Sequence, residues 1–309
     1  MNNDELRRIV EQEIRRALEE ASRPAPGPSP AAPATPPRQQ PGVARWLRDG
    51  EPAPRPRPRP LAAPAPTTPP CPTGIDLPSN PEALQRFVAA TPSRIGVGRA
   101  GTRYLTDTYL GLRADHAIAK DAVYSECAES FAQSLGCVPL KSTCKDKQEF
   151  LLFPAHGRRL DDESQARLAQ EATKGVDVQL IVGDGLSAWA AERNAPELLA
   201  LMQQELSSAG FSIGRPLFVR FARVGVQDHI GVLTGAKATV IMLGERPGLG
   251  TGDSLSVYIA YGPKLDQDNA EKNCISNVRA LGIRPPEAAR ETCEVLRRAF
   301  AAGRGGVAA

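Results

Sequence analysis

The chain has 309 residues and a formal net charge of +3, a length that allows one or two domains. The excess charge lies near the N-terminus: residues 21–73 carry seven arginines and two acids, whereas the residues after 73 carry 27 bases and 27 acids. A neutral body argues against a nucleic-acid partner, because a phosphate backbone requires a basic surface. The apolar runs are too short for a membrane span, and the N-terminus lacks a secretory signal, so we expect no membrane partner.

Residues 1–20 predict an amphipathic helix. Leu6, Ile9, Val10, Ile14 and Leu18 recur at steps of three and four, which places them on one helical face. A helix this short is marginal alone in water, so we interpret it as a docking segment that folds on a partner. A frayed tail is the alternative.

Residues 21–79 predict a disordered linker rich in proline and arginine. Residues 21–73 hold 18 of the 29 prolines, including PRPRPRP at 54–60, a pattern typical of a stiff polyproline II spacer. Such a segment cannot bury a core. A docking helix on an extended linker is typical of a targeting segment.

Residues 80–149 predict a small helical subdomain. One helix begins at Asn80, and a second covers 102–122, with Leu105, Tyr109, Leu112, His116 and Ala119 on one side.

Between these two predicted helices, Gly96, Gly98 and Gly101 match the dinucleotide motif G-x-G-x-x-G. The residues before it do not predict a strand, and no acid follows at the required distance. A glycine-rich turn leading into a helix is therefore favoured. A self-contained nucleotide-binding Rossmann-type enzyme that uses these glycines remains the alternative.

Residues 150–309 predict a Rossmann-like α/β domain: a largely parallel sheet with helices on both faces. Ligands of such sheets bind beyond the carboxyl ends of the strands. That rule points to residues 183–185, 223–225 and 244–252. The predicted strands are 176–182, 217–221, 238–243 and 255–261, and the predicted helices are 161–175, 194–210, 227–233 and 285–303.

The strand-end loops contain no recognisable catalytic set. The loop 244–252 has no lysine and fails the Walker A pattern, and Ser187 lacks the final glycine of G-x-S-x-G, so we interpret it as a helix N-cap. The three histidines lack metal-ligand spacing, and the six cysteines form no C-x-x-C pair, so we expect no zinc site. A chain of this length does not need a disulfide framework, so we interpret the thiols as reduced and cytoplasmic. Glu245 stands out, because a carboxylate beside glycines can accept hydrogen bonds from a closely approaching ligand. A surface pair with Arg246 is the alternative.

Several long segments of the chain carry a family resemblance: VGRAGTRYLT (97–106), DVQLIVGDGLSA (177–188), GRPLFVRFARV (214–224), DHIGVLTGAK (228–237), GERPGLGTGDSLSVYIAYGP (244–263) and CISNVRALGIRPPEAA (274–289). Together they resemble the ethanolamine ammonia-lyase light chain family, and the resemblance covers about residues 80–303.

The resemblance implies the small subunit of an adenosylcobalamin-dependent lyase that converts ethanolamine to acetaldehyde and ammonia by a radical mechanism. It implies a heavy chain that holds the substrate and a hetero-oligomer in which this chain covers the cofactor. It places the cobalamin contacts on Val224, Glu245 and Cys274, and no catalytic residue on this chain. An ordinary buried thiol is the alternative for Cys274.

The family resemblance also gives the N-terminal helix a role. Short amphipathic N-terminal helices in the family are associated with packaging into a protein-shelled bacterial microcompartment. We therefore expect a cytoplasmic protein inside such a compartment, with shell or cargo proteins as further partners. A scaffold that only recruits cargo is a third hypothesis.

Overall fold

The computed structural model describes residues 73–91 and 93–306. The predicted helix 1–20 and nearly all of the predicted linker lie outside the described residues. In chain order the helices are α1 (Pro81–Ala90), α2 (Thr106–Tyr124), α3 (Phe131–Ser134), α4 (Lys147–Leu152), α5 (Asp162–Glu171), α6 (Ala188–Ser208), α7 (Val226–Thr234) and α8 (Pro285–Ala302). The strands are β1 (Arg99–Ala100), β2 (Arg103–Tyr104), β3 (Val138–Lys141), β4 (Val178–Gly183), β5 (Leu217–Arg220), β6 (Ala238–Gly244), β7 (Leu255–Tyr261) and β8 (Lys272–Val278).

Strands β3 to β8 form one sheet in the order β3-β5-β4-β6-β7-β8. The first four strands of that order are parallel, whereas β7 pairs antiparallel with β6 and β8 pairs antiparallel with β7. The prediction of a mixed α/β fold with a largely parallel sheet is confirmed. The loop after β6 closes a hairpin, so the last two strands form an antiparallel edge on an otherwise parallel sheet.

Helices cover both faces of the sheet, as predicted. Helices α6 and α8 pack on one face, and α5 and α7 pack on the other. Strand β4 shows how the alternation of side chains supplies both layers. Its residues Val178, Leu180 and Val182 belong to the core under α6 and α8, whereas Ile181 belongs to the core on the opposite face.

Besides the short strands β1 and β2, two strands of the main sheet were not predicted from the sequence. Strand β3 contains Pro139, which lowers strand propensity but is tolerated at an edge, and β3 is an edge strand. This strand comes from the segment 80–149 and pairs with β5, so the last part of that segment is continuous with the main sheet. Strand β8 has the sequence KNCISNV, in which polar residues interrupt the alternation of apolar and polar side chains that would predict a strand.

The start of α6 was predicted wrongly at Asn194. The helix begins at Ala188, and Ser187 is its N-cap, since its hydroxyl accepts a 3.2 Å hydrogen bond from Ala190 N–H. The N-cap role of Ser187 is therefore confirmed, and Pro196 lies inside the helix. Asn194 is buried and donates instead to the carbonyl of Asp253 at 2.8 Å.

The glycine run 96–101 is not a single turn. Gly96 lies in a bend, Arg99 and Ala100 form β1, and Gly101 begins the turn between β1 and β2. The hairpin β1–β2 pairs antiparallel, lies outside the main sheet and is followed by α2. A Cβ at Gly98 would stand 2.4 Å from the Leu105 side chain, which explains that glycine by packing. Because no strand of the main sheet precedes the run among the described residues, the geometry lacks the strand–turn–helix context of a dinucleotide site.

Helix α2 buries a different face from the one predicted. Ala119 is buried, but Leu105, Tyr109 and His116 are exposed. The buried positions are Thr108, Asp115, Ala119 and Ala122. Among the described residues, no helix combines the length and apolar character needed to cross a membrane.

Candidate functional site

The three predicted loops meet at one edge of the sheet. Gly183 pairs in register with Val219 and Leu243, so β4, β5 and β6 end together. Asp184 is completely buried just beyond β4, and its carboxylate accepts the N–H groups of Phe221 and Ala222 at 2.9 and 3.0 Å. These bonds hold the chain after β5 in place, directly before Val224.

Glu245 immediately follows β6 and is half-buried. Its Oε1 accepts hydrogen bonds from the Asn277 N–H at 2.8 Å and from the Ser256 hydroxyl at 2.5 Å. Burial raises the pKa of Glu245, but these two hydrogen bonds and the charge of Arg279 outweigh it, so the net pKa lies below its ordinary value. Glu245 is therefore an ionised acceptor tied to β7 and β8, and its hydrogen bonds to Asn277 and Ser256 take the place of the surface pair with Arg246 that was the alternative.

Cys274 lies on β8 opposite Tyr258 of β7. Its side chain is exposed, so the alternative of an ordinary buried thiol is wrong. Desolvation raises the pKa of Cys274, and the negative charge of Glu245 adds to that rise, while Tyr258 and Ser256 act in the opposite direction. The structure thus brings exposed Cys274 and half-buried Glu245 and Tyr258 near one another at the protein surface, with buried Ser256 beneath them.

Val224 lines a cavity of about 450 Å³ next to the start of α7. Lys272 lines the same cavity, and Lys272 and Cys274 lie two residues apart on the same face of β8. Burial lowers the pKa of Arg223, and the positive charge of Arg246, the residue after Glu245, lowers that pKa further. Val224 is therefore adjacent to the surface that holds Glu245 and Cys274, although the cavity itself does not include those two residues.

The glycines of the loop after β6 contact protein atoms. A Cβ on Gly244 would stand 2.1 Å from the Ser187 carbonyl oxygen, and one on Gly252 would stand 2.8 Å from Ala122. Gly250 has φ +73° and lies against Asp115 of α2. These glycines allow the loop to pack on α2 and α6, which corrects the expectation that they lie open to a ligand.

The histidines have protein partners or face solvent. His229 Nδ1 accepts the Leu160 N–H at 3.1 Å, His156 Nδ1 lies 2.6 Å from a Glu149 carboxylate oxygen, and His116 is exposed. No three histidine, cysteine, aspartate or glutamate side chains of the described residues cluster closely enough to hold a metal ion.

Sequence reasoning missed the polar side chains of the cavity beside Val224. Lys272 and Asp228 form a buried ion pair at 2.8 Å, with side chains 3% and 2% exposed. The pair joins residues 44 positions apart, so no local pattern indicates it. A buried charge is rarely kept without a partner, but the partner is visible only in the fold.

Known proteins resemble this chain over its described part. A family model described as ethanolamine ammonia-lyase light chain (EutC) matches residues 81–309. The ethanolamine ammonia-lyase small subunit of Clostridium perfringens is 40% identical over 223 residues, which are 72% of this chain and 76% of that protein. The small subunits of Fusobacterium nucleatum and Clostridium acetobutylicum are each 39% identical, over 71% and 70% of this chain and 75% and 89% of their own lengths.

Proposed function

Because this chain belongs to the ethanolamine ammonia-lyase light chain family, we propose that it is the small subunit of an adenosylcobalamin-dependent lyase. The substrate is ethanolamine and the products are acetaldehyde and ammonia. A heavy chain holds the substrate, and this chain covers the cofactor. The observation that carries the proposal is the open surface at the sheet edge where Glu245 and Cys274 meet beside the cavity lined by Val224.

The residues present fit a corrinoid. Its ring is wide, nearly neutral and rimmed with amides, so it requires hydrogen-bond partners and flat protein surface more than positive charge. Cys274 is exposed and Tyr258 half-buried on neighbouring strands, which leaves such a surface. The adjoining cavity beside Val224 has a volume of about 450 Å³, which is in the range of small-molecule sites.

The chain's own residues bind and orient. The ionised carboxylate of Glu245 accepts from an amide or a ribose hydroxyl, and its bonds to Ser256 and Asn277 hold it in one direction. Val224 and Cys274 present main-chain groups. When bound, the cofactor supplies the radical chemistry, while the protein supplies position and excludes water.

The exposed apolar side chains on α2 and just before it also favour a partner chain. The exposed fractions of Tyr109, Leu110 and Tyr124 on α2 are 49%, 57% and 59%, and those of the preceding Tyr104 and Leu105 are 42% and 39%. Several large apolar side chains exposed along one helix and the residues before it are typical of a protein interface. We assign this surface to the heavy chain, since α2 also packs against the loop that begins at Glu245.

The proposal is tested by purifying the chain alone and with a heavy chain of the same family. Turnover of ethanolamine and bound corrinoid, seen in the absorbance spectrum, are expected only for the complex. Turnover by the isolated chain would contradict the proposal. Tight binding of NAD or ATP by the isolated chain would favour the nucleotide-binding alternative.

The variant Glu245→Gln tests the site itself. The amide keeps an oxygen that can accept the Asn277 N–H, but it carries no charge and its second terminal group is a donor. The acceptor that the proposed ligand uses is therefore lost. We expect cobalamin affinity to fall by about 1–3 kcal/mol, or roughly 5- to 150-fold in Kd. Glu291→Gln, exposed on α8, is the matched control. Unchanged affinity for Glu245→Gln would show that this carboxylate is not part of the cofactor site.

A further inference from the structure

The half-buried carboxylate of Glu245 has neighbours that act on its charge in opposite directions. Burial raises the pKa of Glu245, whereas the hydrogen bonds that it accepts and the positive charge of Arg279 lower that pKa. Tyr258 of β7 and Cys274 of β8 have raised pKa values, so both groups are neutral near neutral pH. Arg279 is therefore a charged neighbour through which the fold favours the ionised form of Glu245.

The guanidinium group of Arg279 is held at two of its nitrogen atoms. Its Nε donates to Asn277 Oδ1 at 2.8 Å, and its Nη1 lies 3.6 Å from Asp253 Oδ1. The main chain of Arg279 belongs to a turn, in which its N–H donates to the Ile283 carbonyl at 3.0 Å and its carbonyl accepts the Gly282 N–H at 3.1 Å. Only 15% of the side chain is exposed, so solvent screens this charge weakly.

Asn277 connects Arg279 with Glu245 by hydrogen bonds. The Asn277 N–H donates to Glu245 Oε1 at 2.8 Å, while the side-chain oxygen of the same residue accepts from Arg279. The φ angle of Asn277 is +60°, in the left-handed region that asparagine adopts more readily than most residues. Such a conformation persists where the surroundings hold it. Arg279 therefore helps to aim the N–H that fixes the direction of the Glu245 carboxylate.

The carboxylate of Asp253 does not cancel the charge of Arg279. Asp253 also pairs with Arg193 of α6, whose Nη1 lies 3.2 Å from Asp253 Oδ2. One negative charge is thus shared by two guanidinium groups, and the carboxylate of Glu245 brings the total charge of these four groups to zero. Arg246, the residue after Glu245, is exposed, so solvent screens its charge.

We propose that Arg279 is a positioning residue of the cofactor site, which sets both the charge and the direction of the Glu245 carboxylate. Arg279 acts through Glu245 and Asn277 and not by contact with the ring. The inference rests on the proposed function, because it takes Glu245 as the acceptor for the corrinoid. A charged acceptor forms a stronger hydrogen bond than a neutral one, and a fixed direction limits the entropy lost on binding.

The affinity for a corrinoid should therefore depend on pH through Glu245. The carboxylate accepts hydrogen bonds at both oxygens, so affinity falls as the pH falls through the pKa of Glu245. With Arg279 present, that pKa lies below its ordinary value of 4.5. Without the charge of Arg279, the hydrogen bonds oppose burial without its help, so the pKa rises and the loss of affinity begins at a higher pH.

The test measures the dissociation constant of cobalamin for the complex with a heavy chain of the same family. Equilibrium dialysis is carried out from about pH 5 to pH 8, with corrin absorbance as the readout, so turnover is not needed. Arg279→Met removes the charge and the polar contacts, whereas Arg279→Lys keeps the charge but cannot reproduce the Nε bond to Asn277. Arg297→Met on the exposed side of α8 is the matched control. Each variant is compared with wild type at the same pH, so titration of the heavy chain or the corrinoid cancels.

We expect Arg279→Met to bind cobalamin about tenfold more weakly than wild type at pH 5, with a narrower gap at pH 8, where Glu245 is ionised in both proteins. Arg279→Lys should bind more weakly than wild type by the same factor at every pH, because the charge is kept and the direction is lost. Arg297→Met should match wild type throughout.

A double variant identifies the group that titrates. In the Glu245→Gln background, adding Arg279→Met should leave the pH profile unchanged. A pH-dependent gap that persists in that background, a loss for Arg279→Met that is equal at every pH, or no loss at all would overturn the inference and leave the proposed function intact. A pH-dependent loss for Arg279→Lys would also overturn it, and this result is decisive even where Arg279→Met does not assemble. Failure of the wild-type complex to bind any corrinoid would instead refute the proposed function.

Discussion

At the scale of single residues, Glu245 is a carboxylate that the fold holds in place at the proposed cofactor site. Its Oε1 receives two hydrogen bonds, one from the end of β8 and one from the start of β7. A carboxylate fixed in this way offers its other oxygen in one orientation, which limits the entropy lost when a ligand binds. Cys274, exposed on the neighbouring strand, contributes through its position in the strand, since its raised pKa keeps the thiol protonated at neutral pH.

The glycines yield a prediction at the same scale. Gly244→Ala places a methyl group 2.1 Å from the Ser187 carbonyl and 2.5 Å from that of Asp184. Backbone atoms cannot move aside as side chains do, so we expect the free energy of unfolding to fall by about 3 kcal/mol or more. Urea unfolding of the purified chain followed by circular dichroism measures the change.

Gly111 on α2 is the matched control. A Cβ there meets no atom within 4 Å, so Gly111→Ala should stabilise the helix by about 0.5–1 kcal/mol. Equal stability of the two variants would contradict the close backbone approach at Gly244.

At the scale of elements, the start of β4 is tied to its surroundings by Asp177. Its carboxylate accepts the Ser212 N–H at 2.9 Å and the Lys237 ammonium at 2.9 Å. The hydrogen bond from Ser212 N–H, then those from the Lys237 and Ser212 side chains, lower the pKa of Asp177 to about 2. One side chain thus fastens β4 to the segments that lead into β5 and β6.

The lowered pKa predicts a pH dependence. A carboxylate with a folded-state pKa below its unfolded value contributes stability that is present above the ordinary pKa of 3.8 and lost as the pH falls towards 2. Asp177→Asn should therefore destabilise the chain at pH 7, and the gap to wild type should narrow below pH 4. Urea midpoints between pH 7 and pH 3 test this, with Glu197→Gln, exposed on α6, as control. A gap that widens in acid would be inconsistent with the assigned contacts.

At the scale of the whole molecule, the predicted role of residues 1–20 is independent of the described residues. If residues 1–20 target the enzyme to a microcompartment, as the family resemblance implies, deleting them should leave ethanolamine turnover by the complex unchanged and release the enzyme from that compartment. The physical reason is that an amphipathic stripe can dock on a partner. Cell fractionation with an activity assay measures both effects, and a full-length variant with Ile9 and Ile14 changed to Asp removes the stripe alone. Retention of the deleted enzyme in the compartment would argue against the targeting role.

Much of the molecule could be predicted from its sequence. Periodicity and caps located most helices and four strands of the sheet, since the signals at Asn80, Asp161 and Gly303 are local. The long segments at 177–188 and 244–263 indicated the family, which the comparisons confirm. The contacts at Val224, Glu245 and Cys274, the domain boundaries and the N-terminal helix stay predictions.

The sequence by itself thus determined the elements and the family, because caps, periodicity and long motifs are carried by neighbouring residues. Only the tertiary structure decided that β7 runs antiparallel, that protein atoms fill the space beside the loop glycines, and that Asp228 and Lys272 form a buried ion pair. These features depend on contacts between residues far apart in the chain. Burial and hydrogen-bond satisfaction, which create them, are properties of the packed chain as a whole.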